Sequence, residues 1–357
     1  MAGLSETPIR RTARLLRQQA AGCALLGSPM YDVLLRRAAD DLLAGGPTAA
    51  VLDGHLNDPG PSALALRMMG GVHARVLSGH APDLATHYPS VTGAVTANLD
   101  AAWPEFLAVL EHQRDEVRGW LARPPQTNEV GRGTALVGGL LHVTAEAQLP
   151  IRLVEIGASG GLNLRADLFR IDGEVAAFGE SSSPVQLGPA WHGAAPPALP
   201  ISIISRYGGD IDPIDVSSEA GRLLLTAYVW PDQLARIERL RGAFALAASL
   251  PIPIHQETAS ESLDQTSLED NTWTVLWHSV FQQYLSREQR SDMDRQIEAI
   301  GAEATDGARF AHLSLEPGRR TPDADFEFLV KLRTWPGGEE RILGIASGHG
   351  IPTTWER

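Results

Sequence analysis

The sequence predicts an α/β protein with a doubly wound, mostly parallel sheet that ends in an antiparallel hairpin and follows a helical N-terminal region. Three observations predict it. Short apolar, strand-like runs alternate with helical patterns from residue 151 onward. Residues 1–125 contain helical spacing but no strong alternation of period two. The last part of the chain holds two strand-like runs around the turn "WPGG" with no helix between them. Such alternation is typical of doubly wound sheets.

Residues 1–125 are predicted to form a separate helical domain. Apolar residues recur every three or four positions from Tyr31 to Leu42 and again from Trp103 to Leu121, which is the spacing of a helix face that packs on a core. Pro104 is expected in the first turn of the second helix. Breaks rich in Gly and Pro, such as "NDPGPS", separate these patterns.

Residues 126–357 are predicted to form the sheet domain. Each strand-like run is short, apolar and rich in β-branched residues, as expected for strands buried on both faces. Residues 171–200 interrupt the pattern with a stretch rich in Pro, Gly and Ser. We expect a long functional or mobile loop there. The runs are "IRLVEIG", "ISIIS", "IPIHQ", "TWTVLWHSV" and "RFAHLSLEP", followed by the hairpin of "FEFLVKLRTWPGGEERILGIAS".

Composition excludes several classes of function. The net charge of -13 argues against a surface that tracks nucleic-acid phosphates. Cys23 is the single cysteine, so the chain has no internal disulfide and no cysteine-rich zinc site. Lys331 is the single lysine, which removes P-loop chemistry. The longest apolar stretch falls short of the ~20 residues that span a bilayer, and we expect a cytoplasmic protein with no membrane partner.

The stretch "LVEIGASGGLNL" is the strongest candidate for a functional motif. A buried strand delivers Glu155 and is followed by Gly157, Ser159 and Gly161, so the backbone can turn sharply and approach a ligand. The spacing is not that of G-x-G-x-x-G. Binding of a nicotinamide cofactor in the manner of short-chain dehydrogenases is disfavoured, because no Tyr is followed by Lys four residues later. We expect the next helix to offer unpaired N–H donors to the ligand.

A second interpretation is a serine nucleophile. Residues 157–161 satisfy G-x-S-x-G, and a later carboxylate with His349 could complete a triad in hydrolase order. Two features of the chain oppose this. The segment before Pro150 is helical in pattern, whereas the serine of an α/β-hydrolase follows several strands. No HGGG-type oxyanion loop lies upstream.

In the third interpretation, "VEIGASGG" resembles the first motif of class I S-adenosylmethionine-dependent methyltransferases. The resemblance extends from Ile151 to the end of the chain and implies a Rossmann-like sheet of seven strands whose last two form a hairpin. The whole chain also resembles an uncharacterised bacterial family known only as a domain of unknown function. The segments "QTNEVGR", "DIDPID", "YVWPDQ" and "WHSVFQQYL" contribute to that second resemblance, which implies homologues but no activity.

The methyltransferase resemblance implies a set of cofactor-binding residues. The first-motif residues would surround the methionine part of S-adenosylmethionine, a carboxylate after the second strand would bind the ribose hydroxyls, and the loop after the third strand would lie near the adenine. A turn that binds no ligand, an aspartate cluster that binds a divalent cation, and aspartates that only cap turns stay open as alternatives; we predict no metal site. The matching positions are Glu155, Gly157, Ser159 and Gly161, then Asp210 or Asp212, then Glu257 and Thr258.

Residues on the acceptor side are predicted near the end of the fourth strand. His278 is the candidate proton acceptor, with a satisfied core histidine as the alternative. Tyr284 is expected to orient the acceptor. Before the first strand, Arg132 could pair with the carboxylate of the cofactor and Asn128 could hydrogen-bond nearby, with helix capping as the alternative for Asn128.

These residues imply transfer of a methyl group to an unknown small-molecule acceptor, with residues 1–125 as a helical lid that shapes the acceptor pocket. Two other classes of function stay open: a non-catalytic module that binds an adenosine-like ligand or a protein, and a serine hydrolase that uses Ser159.

Overall fold

The structure is a computed structural model that describes residues 6–94 and 98–356. It divides into two compact units. The first comprises the described residues of Met1–Thr127 together with Glu219–Ile237, and the second comprises Asn128–Ser218 and Glu238–Arg357 up to residue 356. None of the described helices is both long and apolar enough to cross a bilayer.

The first unit is helical. Its helices pack around one apolar core that includes Leu16, Leu34, Met68 and Phe106, each at most 1% exposed. Short 3-10 turns lie at Gly60–Ser62 and Trp120–Ala122. The helices are α1 (Pro8–Leu25), α2 (Pro29–Ala44), α3 (Pro47–Leu52), α4 (Leu64–Leu77), α5 (Pro82–Ala85), α6 (Pro89–Thr92), α7 (Leu99–His112), α8 (Arg114–Gly119) and α10 (Glu219–Ala227).

Two helices of this unit show how local sequence sets their ends. The Ser28 side chain accepts the amide of Tyr31 at the start of α2, and Pro29 fills the first position, where no N–H is needed. In contrast, the prediction for Pro104 is wrong. Asn98 caps α7 by accepting the amide of Ala101, so the helix begins at Leu99 and Pro104 lies inside it.

The segment "YVWPDQ" belongs to the first unit. The Asp232 carboxylate accepts the Ser28 hydroxyl at 2.6 Å and the Met30 amide at 2.9 Å. The Trp230 ring lies 6.1 Å from the Tyr31 ring. These contacts show why a segment far along the chain clusters with the N-terminal helices.

The second unit contains one sheet with helices. The 3-10 turns are Val130–Arg132, Leu162–Leu168 and Gln282–Tyr284. The helices are α9 (Gly133–Glu146), α11 (Leu234–Ser249, of which residues 238–249 belong to this unit), α12 (Ala259–Asp264) and α13 (Arg287–Ala302). The strands are β1 (Ile151–Ile156), β2 (Arg170–Gly173), β3 (Ala177–Phe178), β4 (Gln186–Gly193), β5 (Ile203–Asp210), β6 (Ile254–Gln256), β7 (Thr272–Ser279), β8 (Ala308–Gly318), β9 (Glu327–Trp335), β10 (Glu339–Ala346) and β11 (Thr353–Trp355).

The predicted α/β fold with a largely parallel sheet and C-terminal antiparallel strands is confirmed. The sheet order is β3-β2-β4-β11-β10-β9-β8-β7-β1-β5-β6. Strands β6, β5, β1, β7 and β8 run parallel. Strands β8, β9 and β10 form an antiparallel meander.

The predicted number of strands is wrong, because the described sheet has eleven strands and not seven. The stretch 171–200, expected to be one irregular loop, contains the end of β2, all of β3 and β4. Strand β4 pairs with the C-terminal strand β11, which in turn pairs with β10. The short turns of this Pro- and Gly-rich segment reverse the chain between strands that extend the sheet.

Candidate functional site

The candidate site lies at the carboxyl edge of the parallel strands. Strand β1 is central: β5 and β6 lie on one side of it, and β7 and β8 lie on the other. The chain therefore reverses its direction across the sheet at β1, and ligands of open parallel sheets bind in the crevice at such a reversal. The predicted residues Glu155, Gly157, Ser159, Gly161, Asp210, Glu257 and His278 lie at the ends of β1, β5, β6 and β7 or just beyond them.

The turn after β1 needs its glycines. Gly157, Ser159 and Gly161 all have positive φ, at 69°, 53° and 64°, in the left-handed region that favours glycine. A Cβ atom at Gly157 would lie 2.5 Å from Cδ2 of Phe281, and one at Gly161 would meet the Ile254 side chain. The backbone here is thus packed too closely for a larger residue at either glycine.

Most amides of this turn bond within the protein. The amides of Gly157 and Ala158 both donate to the Gly209 carbonyl, at 2.9 and 3.1 Å. The Ser159 amide donates to Oδ2 of Asp210 at 2.8 Å. These bonds fasten the turn to the neighbouring strand β5.

The start of the next helix is also capped. A 3-10 turn, Leu162–Leu168, stands where we expected a helix with unpaired donors. The Leu162 amide donates to Oδ1 of Asn128 at 2.9 Å. The expectation of free donors is therefore wrong for Leu162, and Asn128 serves as a cap, which was the alternative that the sequence left open.

Glu155 is the unusual group of the site. It is 3% exposed, and within the described residues its Oε2 atom has no hydrogen-bond partner. Burial raises the pKa of Glu155 to about 8, and the charge of Asp210 acts in the same direction. The Trp277 indole, Arg165 and Arg132 oppose that rise. The carboxyl group is therefore mainly protonated at neutral pH, unlike an exposed glutamate.

Other buried polar groups near this turn were not predicted from the sequence. Trp277 is the register partner of Glu155 on β7, and within the described residues its Nε1 atom also lacks an acceptor of acceptable geometry. The same holds for Oδ1 of Asn163, whose amide nitrogen donates to the Glu129 carbonyl at 3.2 Å. Buried polar atoms in folded proteins almost always have partners. The Trp277 indole acts on Glu155, and these three atoms are buried polar groups that a ligand could satisfy.

A buried guanidinium group supports the same turn. Arg165 is 1% exposed and donates to the carbonyl oxygens of Gly161 at 2.7 Å and Leu250 at 2.8 Å. Burial lowers the pKa of Arg165 to about 10. The group therefore stays positively charged at neutral pH, close enough to Glu155 to affect its titration. A sequence signal existed, since "GGLNLR" places Asn163 and Arg165 directly after the glycines, but a residue type alone does not reveal burial.

The carboxylates after β5 and β6 have structural partners. Besides the Ser159 amide, Asp210 accepts the amide of Asp212 at 2.9 Å through Oδ1. Oε1 of Glu257 accepts the Tyr207 hydroxyl and the Ser262 hydroxyl, both at 2.7 Å.

Thr258, which the methyltransferase resemblance places near the adenine, also has a structural partner. Thr258 is exposed and caps α12 in a reciprocal arrangement with Glu261. The described residues contain no group of three or more His, Cys, Asp or Glu side chains placed to hold a metal ion.

The strand end after β7 contains His278. Its side chain is fully buried; Nδ1 lies 2.8 Å from Oε1 of Glu316, and Nε2 lies 2.9 Å from Nε2 of His312. Tyr284 is 58% exposed. Arg132 donates to the carbonyl oxygen of Ser279 at 3.2 Å, so it reaches the end of β7.

His278 and Glu155 face opposite sides of the sheet. Glu155 is aligned with Trp277, so these two side chains share one face, and successive residues of a strand alternate between faces. His278 therefore points to the face that α13 covers. The structure brings both predicted residues to the same edge but separates their side chains by the sheet.

The pattern of one known protein family matches residues 13–355, and its description is "Uncharacterized protein conserved in bacteria (DUF2332)". No curated protein matches the chain significantly. No solved structure does so either.

Proposed function

This chain belongs to the bacterial family DUF2332, and we propose that it is an S-adenosylmethionine-dependent methyltransferase-like protein that acts on a small-molecule acceptor. The observation that carries the proposal is the unpaired, buried carboxyl group of Glu155 at the reversal point of the sheet.

The unpaired groups fit the amino-acid end of the cofactor. An ammonium group needs acceptors, which Glu155 and Asn163 offer, and a carboxylate needs donors, which the Trp277 indole and the nearby guanidinium groups offer. An ammonium group beside Glu155 would favour its ionised form and lower its pKa from about 8. Binding at neutral pH would therefore release a proton.

The remaining predicted residues fit the nucleoside end. Asp210 accepts one backbone amide on each oxygen, and a carboxylate has about four acceptor positions, so capacity for ribose hydroxyls remains. Glu257 and Thr258 follow β6 on the same side of β1 as Asp210. When bound, the cofactor supplies a methyl group on a sulfonium that is its own leaving group. The protein then contributes alignment of the acceptor.

A general base is required only for an acceptor that must lose a proton. His278 has both ring nitrogens in contact with other side chains, so a direct role requires these contacts to rearrange. Tyr284 is exposed beyond the same strand and stays a prediction for orienting the acceptor.

The test is calorimetric titration with S-adenosylmethionine and S-adenosylhomocysteine at pH 7 in two buffers of different ionisation enthalpy. We expect binding with release of about one proton, because the bound ammonium group ionises Glu155. Glu155→Gln should bind at least about tenfold more weakly and release no proton, since it cannot supply the charge. Glu288→Gln, at an exposed position of α13, is the matched control.

If neither compound gives a heat of binding or a shift in the thermal unfolding temperature, the proposal is contradicted. Binding without methyl transfer to any member of a small-molecule acceptor library would instead indicate a non-catalytic binding module. In that case Glu155→Gln should weaken binding of the nucleoside while leaving partner binding intact.

A serine hydrolase is the second candidate, because Ser159 adopts φ of 53° in a G-x-S-x-G sequence, and elbow nucleophiles occupy such strained turns. Its 3% exposure opposes this role. A fluorophosphonate probe that labels wild type but not Ser159→Ala would favour the hydrolase.

A further inference from the structure

The turn after β7 is strained at a residue poorly suited to its conformation. Val280 has φ of 52°, and a β-branched residue in the left-handed region is a genuine outlier. Its amide donates to the Leu315 carbonyl of β8 at 2.8 Å. Such conformations persist only when their surroundings hold them, and they concentrate at ligand sites.

One carboxylate holds this turn. Oε1 of Glu316 accepts the Phe281 amide at 2.8 Å, and both carboxylate oxygens lie 3.4 Å from the Gln282 amide. Glu316 is 7% exposed. Two successive amides that point at one buried carboxylate resemble the way backbone nests bind anions, except that the anion here belongs to the protein.

Two histidines orient that carboxylate. Nδ1 of His278 lies 2.8 Å from the same Oε1 atom that accepts the Phe281 amide. That oxygen is therefore an acceptor, and Nδ1 of His278 carries the proton. The Nε2 atoms of His278 and His312 lie 2.9 Å apart, so one of them donates a proton and the other accepts it. Burial lowers the pKa of His312 well below its usual range, and the charges of His278, Arg333 and Lys331 act in the same direction, so the His312 ring is neutral.

The turn in question touches the proposed ligand turn. A Cβ atom added at Gly157 would lie only 2.5 Å from Cδ2 of Phe281, so the Phe281 ring packs directly on Gly157. The centroids of the Phe281 and His278 rings are 6.0 Å apart. Any displacement of residues 280–282 therefore moves the side chain that packs directly on Gly157.

We propose that Glu316, oriented by His278 and His312, is a positioning residue that fixes the turn Val280–Gln282. By fixing this turn, Glu316 keeps the Phe281 side chain packed against Gly157 in the proposed ligand-binding turn after β1. The link to ligand affinity rests on the proposed function; the control of the turn by Glu316 does not. This role could not be predicted from residue types alone, because Glu316 lies 35 residues from Phe281.

The first test uses the ligand-free protein. Glu316→Gln replaces a charged acceptor with a neutral one, and charge-assisted hydrogen bonds are roughly twice as strong. We expect hydrogen exchange at the Phe281 and Gln282 amides to accelerate about tenfold or more, the factor that about 1.4 kcal/mol represents. The Nδ1 proton of His278, visible by NMR as a strongly deshielded signal, should shift upfield. Glu340→Gln, on the exposed part of β10, should change neither.

A pair of variants at His278 extends the test while Glu316 stays intact. His278→Asn keeps a side-chain N–H that can reach Glu316, and it should retain protection of the Phe281 amide. His278→Leu should lose that protection. If Glu316→Gln does not fold, the two His278 variants alone test the proposal. Equal exchange of the Phe281 amide in His278→Leu and in wild type would overturn it.

The second readout is affinity for S-adenosylhomocysteine. Glu316→Gln should bind about tenfold more weakly, with His278→Asn closer to wild type than His278→Leu. Unchanged exchange in folded Glu316→Gln overturns the positioning role whatever the ligand does. If amide exchange changes in Glu316→Gln but the wild-type protein binds no ligand, the proposed function is contradicted. The control of the turn by Glu316 is then still supported.

Discussion

The two turns that follow β1 and β7 lie on adjacent strands and reach similar conformations with different residues. After β1, glycine occupies two of the three left-handed positions and Ser159 the third. After β7, Val280 is left-handed without a glycine nearby. In both turns a carboxylate from the next strand outward, Asp210 or Glu316, accepts the backbone amides.

The difference between these turns lies in what stabilises each backbone. Left-handed conformation costs an L-residue roughly 1–2 kcal/mol, and glycine avoids that cost. The turn after β7 instead relies on Glu316, which contacts two amides and His278. A turn built from glycines can be recognised in a sequence, whereas a turn held by a distant carboxylate cannot.

The contact between the two turns should give the largest effect. Gly157→Ala places a Cβ atom at positive φ and against the Phe281 ring. The left-handed strain and the overpacking together should lower the free energy of unfolding by about 4 kcal/mol. Urea denaturation followed by tryptophan fluorescence measures it.

Gly79→Ala separates the two contributions. Gly79 has a similar φ of 76° with no atom within 4 Å of the added Cβ, so only the strain of about 1–2 kcal/mol applies. In the Phe281→Ala background, Gly157→Ala should cost no more than Gly79→Ala does. If Gly157→Ala lowers the free energy of unfolding equally in the wild-type and Phe281→Ala backgrounds, the Phe281 ring does not restrict the space at Gly157.

The carboxyl groups at the two strand ends should respond in opposite ways to loss of charge. Folding raises the pKa of Glu155 from 4.5 to about 8. As pH rises above 4.5 the unfolded chain releases this proton first, so wild-type stability falls between pH 4.5 and 8. Glu155→Gln lacks this loss and should be more stable than wild type by about 3 kcal/mol at pH 7, with little difference near pH 4.5.

Glu316→Gln should instead be less stable than wild type at pH 7, because Glu316 is fully engaged by donors. Denaturation curves at pH 5 and pH 7 compare both variants. A Glu155→Gln variant with the same pH dependence as wild type would show that Glu155 titrates normally, and the contrast between the strand ends would disappear.

Much of the sheet could be predicted because its central strands are apolar on both faces. Strand β7 is buried along seven of its eight positions, and such runs stand out in a sequence. The added strands could not be predicted in the same way. Strand β4 contains Gly, Pro and His and mixes exposed and buried positions without a regular period, and its pairing with β11 joins residues about 160 apart.

The candidate site could be predicted only where residue type indicates conformation. Glycines and an acid after an apolar strand led to Glu155 and Gly157. In contrast, Trp277, Asn163 and Arg165 acquire their importance from burial and from unpaired atoms, which are properties of the folded chain. His278 was found because its chemistry is distinctive, although its partners Glu316 and His312 come from another strand.

The smallest expected effect compares the two strained residues directly. Val280→Gly removes a β-branched side chain from the left-handed region, and we expect stability to rise by about 1 kcal/mol. Ser159→Gly should gain less, because a β-branched side chain is the poorer fit to this conformation. Thermal unfolding of both variants beside wild type measures the difference. If Val280→Gly instead lowered stability while Ser159→Gly raised it, the Val280 side chain would be contributing packing that outweighs its strain. The turn after β7 would then be stabilised by the apolar contacts of Val280 as well as by Glu316, so Glu316 would not be the sole replacement for the glycines of the turn after β1.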